Sequence, residues 1–241
     1  MISEERIGTV FAVVELRRYA MQPGKRDALI ALFEREFIEA QEQHGMVPFG
    51  HYRDLDDADS YVWFRGFERF EARREALEGF YGSPTWFAHR EAANATLRDT
   101  DNVLLLRNAR THSGFDLRGL ARPDGAAATL AGRRSLVAAS VLMLDRPAGE
   151  DFVGAFEAGV LPALQACAQR TAYLVTEERP NAFPQHPVRE REFAFVVTGV
   201  CETAGAVASW SRAVDRWSDG RAETIERATL RLAPAARSLF R

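Results

Sequence analysis

The sequence predicts an α+β protein built from two ferredoxin-like βαββαβ units in tandem, and three observations support this prediction. The first half of the chain shows strand and helix patterns in the order strand, helix, strand, strand, helix, strand. The second half repeats that order more loosely. Equivalent strands, such as those that contain Val13 and Val137, lie about 120–125 residues apart, which is typical of an internal duplication. Two strand–helix–strand crossings around a central hairpin predict a four-stranded sheet with both helices on one face.

The composition is that of an ordinary globular protein, and it argues against several classes. At 241 residues, the chain is long enough for two domains of about 110–120 residues each. The formal net charge of −3 argues against nucleic-acid binding, because a phosphate-binding surface is normally basic. No apolar run approaches the roughly 20 residues that span a bilayer, so no membrane partner is expected. Residues 1–9 lack the basic start and apolar stretch of a signal peptide, and we expect a cytoplasmic protein.

The first unit, expected over residues 8–108, opens with a strand and a long amphipathic helix. Residues 10–19 are rich in β-branched and aromatic residues, and a turn signal follows at residues 21–24. Residues 25–44 predict a helix that ends at Gly45. The apolar stripe of this helix, at three- and four-residue spacings, consists of Leu29, Ile30, Leu32, Phe33, Phe37 and Ile38.

The rest of the first unit completes the ferredoxin-like order. A hairpin is predicted from two short strands joined by the acidic segment 54–59. A helical pattern follows and breaks at residues 81–84 before it resumes. The predicted elements are strand 46–53, strand 61–67, helix 68–80, helix 85–98 and strand 103–107.

The second half begins after a predicted linker. Residues 109–133 show little apolar periodicity and are rich in Gly, Ala and Arg, and the second, diverged unit is expected over residues 134–241. Pro162 predicts a kink or an early end of the helix that contains it, because proline removes a backbone donor. The predicted elements are strand 136–144, helix 150–168, strand 171–177, strand 193–200, helix 204–217 and strand 224–232.

A sheet with both helices on one face leaves its other face bare, and an apolar sheet face must be covered. In this fold class two sheets pack face to face and enclose a barrel, normally between subunits. We therefore expect the dimeric α/β-barrel architecture and a homodimer. The second unit is an alternative source of the partner sheet, so closure within one chain or between two chains stays open.

Several segments resemble the NIPSNAP family, and the resemblance is more specific in the first half. The opening strand, residues 15–19 with Pro23 and Gly24, and the third strand, residues 62–67, are similar to those of the family. Further similar segments are residues 71–74, 80–86, 93–95, 101–106, 180–184, 187–190 and 229–234. The resemblance, to the two-unit bacterial type, implies a dimeric α/β-barrel fold and brings no established catalytic motif. Relatives in the wider barrel group include cofactor-free monooxygenases, haem-degrading and haem-binding enzymes, and dehydratases, and the fold does not choose among them.

Strand alternation divides the side chains of the first sheet into two sets. Val14, Leu16, Val62 and Phe64 form an apolar set, which we assign to the face that packs on the helices. The opposite set is polar and aromatic, and we assign it to the interior of the barrel. It consists of Glu15, Arg17, Tyr19, Tyr61, Trp63 and Arg65. Regular alternation in the second strand adds Val47, Phe49, His51 and Arg53 to that interior.

These residue types suit a small polar or anionic ligand with one aromatic wall. Arg17 or Arg65 would anchor an anionic group and Trp63 would stack on the ligand. Tyr19 and Tyr61 complete the predicted ligand-binding set.

Proton transfer is the second role that the predicted cavity offers. His51 or Glu15 would serve as the candidate catalytic residue, since burial shifts the pKa of such groups. In the alternative interpretation, Glu15 and Arg17 only satisfy each other across strands and Trp63 only fills the barrel.

The other histidines and the acidic segment do not indicate a metal site. His44 lies in a last helical turn, where the helix dipole favours an imidazolium, and His112 and His186 are expected in loops as solvated side chains. His89, on a predicted helix, is the candidate axial ligand of a haem alternative. Segment 54–59 lacks the glycine and the final carboxylate of a calcium loop. No zinc or nucleotide motif is present, so no metal and no cofactor are expected.

Residues 178–190 take the place of a short hairpin turn in the second unit, and three prolines stiffen them. Loops of this length in compact domains are often lids or partner surfaces. Asn181, Phe183 and Arg189 are the candidate lid residues. The alternative is a rigid surface loop that covers an edge.

The sequence therefore predicts a NIPSNAP-like protein of unassigned reaction that binds a small polar or anionic molecule in a barrel cavity. Whether it is a cofactor-free enzyme stays open. The alternatives are a non-catalytic interaction or assembly protein whose barrel is filled by its own side chains, and a haem-handling protein. Residues 136–144 are almost wholly apolar, so we expect the second unit to be structural.

Overall fold

The structure is a computed structural model that describes residues 11–123 and 135–241. Its strands are β1 (Val13–Met21), β2 (Met46–Asp54), β3 (Ser60–Phe67), β4 (Leu97–Asp99), β5 (Val103–Asn108), β6 (Leu136–Leu144), β7 (Arg170–Thr176), β8 (Phe193–Cys201) and β9 (Thr224–Pro234). Its helices are α1 (Arg26–Leu32, the π-helical turn Phe33–Phe37 and Ile38–Gln43), α2 (Phe70–Tyr81), α3 (Pro84–Asn94), α4 (Glu150–Gly159), α5 (Leu161–Cys167) and α6 (Ala204–Ser218).

Local sequence signals account for most of the element boundaries. Gly45 adopts a φ of 87° just after α1, in the left-handed region that glycine accepts without strain. The Ser83 hydroxyl accepts a hydrogen bond from the Trp86 amide and caps the start of α3. Pro162 lies in the first turn of α5, so the predicted helix 150–168 is divided at Val160. This division confirms the predicted early end.

The predicted helix 85–98 is too long, because α3 ends at Asn94 and the short strand β4 follows. The Thr96 hydroxyl donates to the Ala93 carbonyl at 2.6 Å, which satisfies a terminal carbonyl and ends the helix. Met21 at the end of β1 then pairs with Leu97.

Each unit has the sheet order of a ferredoxin-like fold. The order is β5–β1–β3–β2 in the first unit and β9–β6–β8–β7 in the second. The edges of the two sheets pair antiparallel, β2 with β9 and β5 with β7. The eight long strands therefore close into a barrel within one chain, and this confirms the tandem fold.

The barrel interior is packed with apolar side chains from both units. The first sheet contributes Val14, Leu16, Val62 and Phe64, which the sequence assigned to the face of the helices. The second sheet contributes Val137, Ala139, Val141, Val196, Val200 and Leu230. Phe115 and Phe240 join this core with their ring centroids 4.9 Å apart. The predicted assignment of the two faces of the first sheet is therefore wrong.

The helices of the first unit pack on the opposite face of its sheet. Tyr19, Tyr61 and Trp63 lie there, in one core with the apolar stripe of α1 and with Leu77 and Phe80 of α2. Glu15, Arg17 and Arg65 share this layer, because they alternate with the barrel residues along the same strands. We call the space between the first sheet and the helices α1–α3 the sheet–helix layer. The core of this barrel is apolar and offers no counter-charge, whereas the helices supply charged partners for the side chains of the sheet.

A bulge in β2 reverses the alternation that the sequence predicts for that strand. Pro48 pairs with Arg65, yet the next residue of β3, Phe64, pairs with Gly50. Phe49 is the extra residue, and it shifts the strand by one position. Val47 and Phe49 therefore enter the barrel core, as predicted. The following residues, His51 and Arg53, face the helices, so their predicted place in the barrel is wrong.

The predicted domain boundaries at residues 8, 133 and 134 lie outside the described residues. Residues 109–123 of the predicted linker lie within them, and Phe115 and Leu117 are buried against the barrel core. Within the described ranges, no helix is both long and apolar enough to cross a membrane.

Candidate functional site

A cluster of one carboxylate and three guanidinium groups lies in the sheet–helix layer. The Glu15 Oε2 atom accepts hydrogen bonds from Arg17 Nη1 at 2.6 Å and from Arg65 Nε at 2.7 Å. The Glu15 Oε1 atom accepts one from Arg73 Nε at 2.6 Å. All four residues are buried, with at most 1% of each exposed. We call these four residues the arginine cluster.

Strand register and one helix face bring the cluster together. Glu15 of β1 and Arg65 of β3 are direct cross-strand partners, and Arg17 is the partner of Trp63. Arg73 lies on the buried face of α2 with Ala76, Leu77 and Phe80. The sheet and the helix packed on it thus bring three guanidinium groups, one each from β1, β3 and α2, to one carboxylate.

The cluster holds an excess of two positive charges away from water. Arg65 Nη2 and Arg73 Nη2 are buried and have no hydrogen-bond partner among the described residues. Gln41 Oε1 lies 3.5 Å from Arg65 Nη1, a long contact for a hydrogen bond. Burying unpaired charge is unfavourable. A second anion bound here would therefore be stabilised by the net positive charge and by the two donors.

The pKa values of the cluster follow from burial and from this charge excess. Burial alone would raise the pKa of Glu15, but Arg65, Arg17 and Arg73 hold it well below its usual range. Burial lowers the pKa of Arg73, against the attraction of Glu15 and with the repulsion of Arg65 and Arg17. Glu15 is therefore ionised at neutral pH, and its charge is shared among three cations.

Aromatic rings form one wall of the cluster. The Trp63 ring centroid lies 5.5 Å from Arg17 Cζ and 5.2 Å from Arg65 Cζ, within range of cation–π attraction. The Tyr19 hydroxyl accepts a hydrogen bond from Arg17 Nε at 2.8 Å. Burial raises the pKa of Tyr19, so the phenol stays neutral. The structure thus brings Glu15, Arg17, Tyr19, Trp63 and Arg65 together as the sequence predicts, in the sheet–helix layer instead of the barrel.

His51 lies in the same layer, with Glu34 as its partner. His51 Nε2 is 2.9 Å from Glu34 Oε1, and the same oxygen accepts the Arg237 amide at 2.8 Å. Burial lowers the pKa of His51, although Glu34 acts to raise it. The imidazole is therefore neutral at pH 7, with Nε2 protonated toward Glu34 and Nδ1 left as an acceptor. Tyr61 lies nearby, and burial raises the pKa of its phenol well above the usual range.

The predicted lid segment of the second unit covers the arginine cluster. Asn181 Oδ1 accepts a hydrogen bond from Arg73 Nη1 at 2.9 Å. Phe183 is buried in the core of the sheet–helix layer, and its ring stacks on that of Tyr81. Arg189 pairs with Glu192 instead and does not reach the cluster.

His186 also belongs to this contact, and its predicted place in solvent is wrong. Its ring stacks on Tyr81 with the centroids 3.9 Å apart. Burial, followed by the charges of Arg65 and Arg17, lowers the pKa of His186 to about 3. A neutral imidazole therefore lies over the cationic cluster.

A groove of about 540 Å³ runs beside the lid segment. Its walls come from residues 176–180 and 188–193, and Leu105 of β5 contributes to its lining. Leu105 is the direct cross-strand partner of Glu15, so the groove ends one strand away from the arginine cluster. None of the four residues of the arginine cluster lines the groove itself.

His89, the candidate axial ligand of the haem alternative, lies at the edge of the sheet–helix layer. His89 Nε2 lies 3.4 Å from Glu36 Oε2, and 31% of the His89 side chain is exposed. Haem binding stays an untested alternative. Within residues 11–123 and 135–241, no group of three or more His, Cys, Asp or Glu residues is placed to hold a metal ion.

Sequence reasoning missed Arg73 and Glu34. Arg73 has a signal in the sequence, because it follows Phe70 by three residues and precedes Leu77 by four on the apolar face of a helix. A charge in that position predicts a buried counter-charge on the facing sheet. Glu34 has no such signal, because the π-helical turn Phe33–Phe37 changes which side chains of α1 face the sheet.

Residues 14–109 match the NIPSNAP family model. The first unit is a NIPSNAP domain. Among curated proteins, no sequence matches the chain.

Solved structures share the fold of the whole chain at low identity. A candidate monooxygenase from Fusobacterium nucleatum is 7% identical with a TM-score of 0.56, over 94% of this chain and 93% of that one. Another, from Lactobacillus acidophilus, is 11% identical with a TM-score of 0.53, over 92% and 93%. A chlorite dismutase variant from Candidatus Nitrospira defluvii is 13% identical with a TM-score of 0.53, over 99% and 98%. At these identities the likeness establishes the fold alone, and the NIPSNAP domain is thus one half of a two-unit chain.

Proposed function

We propose that the NIPSNAP domain binds a small anionic molecule through Arg17, Arg65 and Arg73, inside the sheet–helix layer. The observation that supports this most strongly is that three buried guanidiniums share the single carboxylate of Glu15. A carboxylate or phosphate group would neutralise the excess charge. It would also accept hydrogen bonds from Arg65 Nη2 and Arg73 Nη2, which have no other partner among the described residues.

The proposed site differs in place from the one that the sequence predicts. The side chains packed in the barrel core are apolar, whereas the arginine cluster lies in the sheet–helix layer, so the ligand is proposed for that layer and not for a barrel cavity. Access runs along the groove beside Leu105, and the segment with Asn181 and Phe183 acts as the lid. No reaction is assigned to the site.

The packed barrel favours a second candidate function. A non-catalytic interaction or assembly protein needs only a stable fold, and a barrel filled by its own side chains fits that role. In that case the arginine cluster would only hold α2 on the sheet. The two candidates differ in whether an anion binds.

Titration calorimetry with benzoate and with inorganic phosphate tests the proposal. We expect at least one of them to bind the wild-type protein, and Arg73→Gln to weaken that binding roughly tenfold or more, because hydrogen bonds to charged groups are strong. Arg74→Gln is the matched control, since Arg74 is the exposed neighbour and pairs with Glu78 on the surface. No binding of either anion, or an equal loss in both variants, would favour the assembly protein.

A further inference from the structure

We propose that the ligand of this site is an aromatic hydroxy acid whose hydroxyl group is bound by His51, Tyr61 and Trp63. The inference rests on the proposed anion site and extends it. It assigns the carboxylate to the arginine cluster and the hydroxyl group to a second set of polar atoms beside it.

Three buried polar atoms beside the arginine cluster have no partner among the described residues. They are His51 Nδ1, Tyr61 Oη and Trp63 Nε1. At most 3% of any of the three residues is exposed. Buried polar atoms in proteins are nearly always hydrogen-bonded to protein or to ordered water, so these three atoms have hydrogen bonds to offer to a polar group.

The three residues form one patch on the sheet. His51 and Trp63 are direct cross-strand partners, and the rings of Tyr61 and Trp63 stack at 6.4 Å. The Phe33 ring packs on all three, with centroid distances of 5.6 Å to His51, 5.9 Å to Tyr61 and 5.1 Å to Trp63. Phe33 opens the π-helical turn of α1, and such turns occur frequently at functional sites.

The chemistry of the three atoms selects a hydroxyl group. His51 Nε2 donates to Glu34, so Nδ1 is an acceptor and needs a donor. Trp63 Nε1 only donates and needs an acceptor, whereas the Tyr61 hydroxyl does either. A carbonyl cannot donate to His51, and an ammonium group cannot accept from Trp63. A hydroxyl group does both, as does a water molecule, and a comparison of ligands with and without a hydroxyl group separates the two.

The spacing of the strands that carry the two sets of residues is comparable to the length of one small aromatic ligand. His51, Trp63 and Arg17 form a row across the adjacent strands β2, β3 and β1. At a strand spacing of about 4.8 Å, the Cα atoms of His51 and Arg17 lie roughly 10 Å apart. A ligand between their side chains would carry its hydroxyl and carboxylate at opposite ends of an aromatic ring. The neighbouring rings of Phe33, Trp63 and Tyr19 suit such a ligand.

A comparison of benzoate with 4-hydroxybenzoate by titration calorimetry tests this inference. We expect the wild-type protein to bind 4-hydroxybenzoate at least about tenfold more tightly, because only the hydroxyl group satisfies the three polar atoms. In Trp63→Phe and in His51→Gln, the ratio of the dissociation constants of benzoate and 4-hydroxybenzoate should fall close to one, while benzoate still binds. The ratio is taken within each variant, so a general loosening of the fold affects both ligands alike.

The matched control is Tyr52→Phe. Tyr52 is a buried tyrosine of β2 on the barrel face, and its hydroxyl donates to the Phe240 carbonyl at 2.8 Å. This variant should keep the wild-type ratio. Equal binding of both acids by the wild-type protein, or an unchanged ratio in Trp63→Phe and His51→Gln, would overturn the inference and leave the anion site. Failure of both acids to bind would overturn the inference, and failure of inorganic phosphate to bind as well would overturn the anion site.

Discussion

At the scale of single residues, Glu15 is the centre of the charge balance in the NIPSNAP domain. Its carboxylate is the only anion bonded to Arg17, Arg65 and Arg73 in the described layer, and all of these side chains are buried. Removing one arginine reduces the charge excess, whereas removing the carboxylate leaves three buried cations without any counter-charge. The two kinds of substitution should therefore have very different costs.

Glu15→Gln should lower the free energy of unfolding by about 3–5 kcal/mol, the range for breaking a buried ion pair from one side. Urea denaturation measures it. Glu78→Gln is the control, because Glu78 is half-exposed and pairs with Arg74 on the surface of α2. The control should cost at most about 0.5 kcal/mol. Similar costs for the two variants would mean that Glu15 does not balance the cluster.

The same carboxylate should make stability depend on acid pH. The pKa of Glu15 lies well below its ordinary value of 4.5, so its contribution is fully present above that value. It is lost as the pH falls through the folded-state pKa. The difference in unfolding free energy between wild type and Glu15→Gln should therefore narrow as the pH is lowered from about 7 to about 3. A constant difference over that range would contradict the depressed pKa.

Single residues also show what the sequence could and could not predict about the site. Alternation in β1 and β3 correctly grouped Glu15 with Arg17, Trp63 and Arg65, because side chains two positions apart share a face. It did not say which face meets the helices, since both faces are buried here. Arg73, in the apolar stripe of α2, was the residue that could have decided the question.

At the scale of elements, irregularities in otherwise regular patterns determined what sequence reasoning missed. The bulge at Phe49 turned His51 toward the helices, and the π-helical turn of α1 brought Glu34 to it. Both insert one residue into a regular period, and neither has a distinctive sequence signature. The lid segment was predicted from its prolines. Its contact with the first unit could not be predicted, because that contact depends on the closure of the barrel by both units.

The lid segment should loosen when its contact with α2 is removed. Asn181→Ala removes three hydrogen bonds: those that Asn181 Oδ1 accepts from Arg73 and from the Phe183 amide, and the one that Asn181 Nδ2 donates to the His186 carbonyl. Amide hydrogen exchange of residues 177–192 should therefore become faster, by about tenfold for a loss of roughly 1.4 kcal/mol. Gln185→Ala is the control, because Gln185 is exposed in the same segment. Equal exchange in both variants would mean that Asn181 does not hold the lid.

At the scale of the whole molecule, closure of the barrel within one chain changes the expected assembly. The predicted homodimer followed from a bare sheet face, and here the second unit covers that face. A homodimer stays a prediction, but barrel closure no longer requires it. Local patterns predicted the order of elements, the duplication and the division of the helix at Pro162. They could not predict the pairing of β2 with β9, because it joins residues that are far apart in the sequence.

The filled barrel should respond to truncation as a protein core does. Phe64→Ala removes a fully buried ring from the barrel, and it should cost about 3–5 kcal/mol in thermal or urea unfolding. Phe87→Ala is the control, because 55% of Phe87 is exposed on α3. A cost below about 1 kcal/mol for Phe64→Ala would indicate a loosely packed interior with room for a ligand.

The most direct test of the central claim, an anion site between sheet and helices, is a crystal structure with 4-bromobenzoate, in which the anomalous signal of bromine locates the ligand. We predict that the carboxylate lies within hydrogen-bonding distance, about 3 Å, of Arg65 Nη2 and Arg73 Nη2, with the ring against Trp63. A ligand found inside the barrel, or crystals without bound ligand at saturating concentration, would contradict the account.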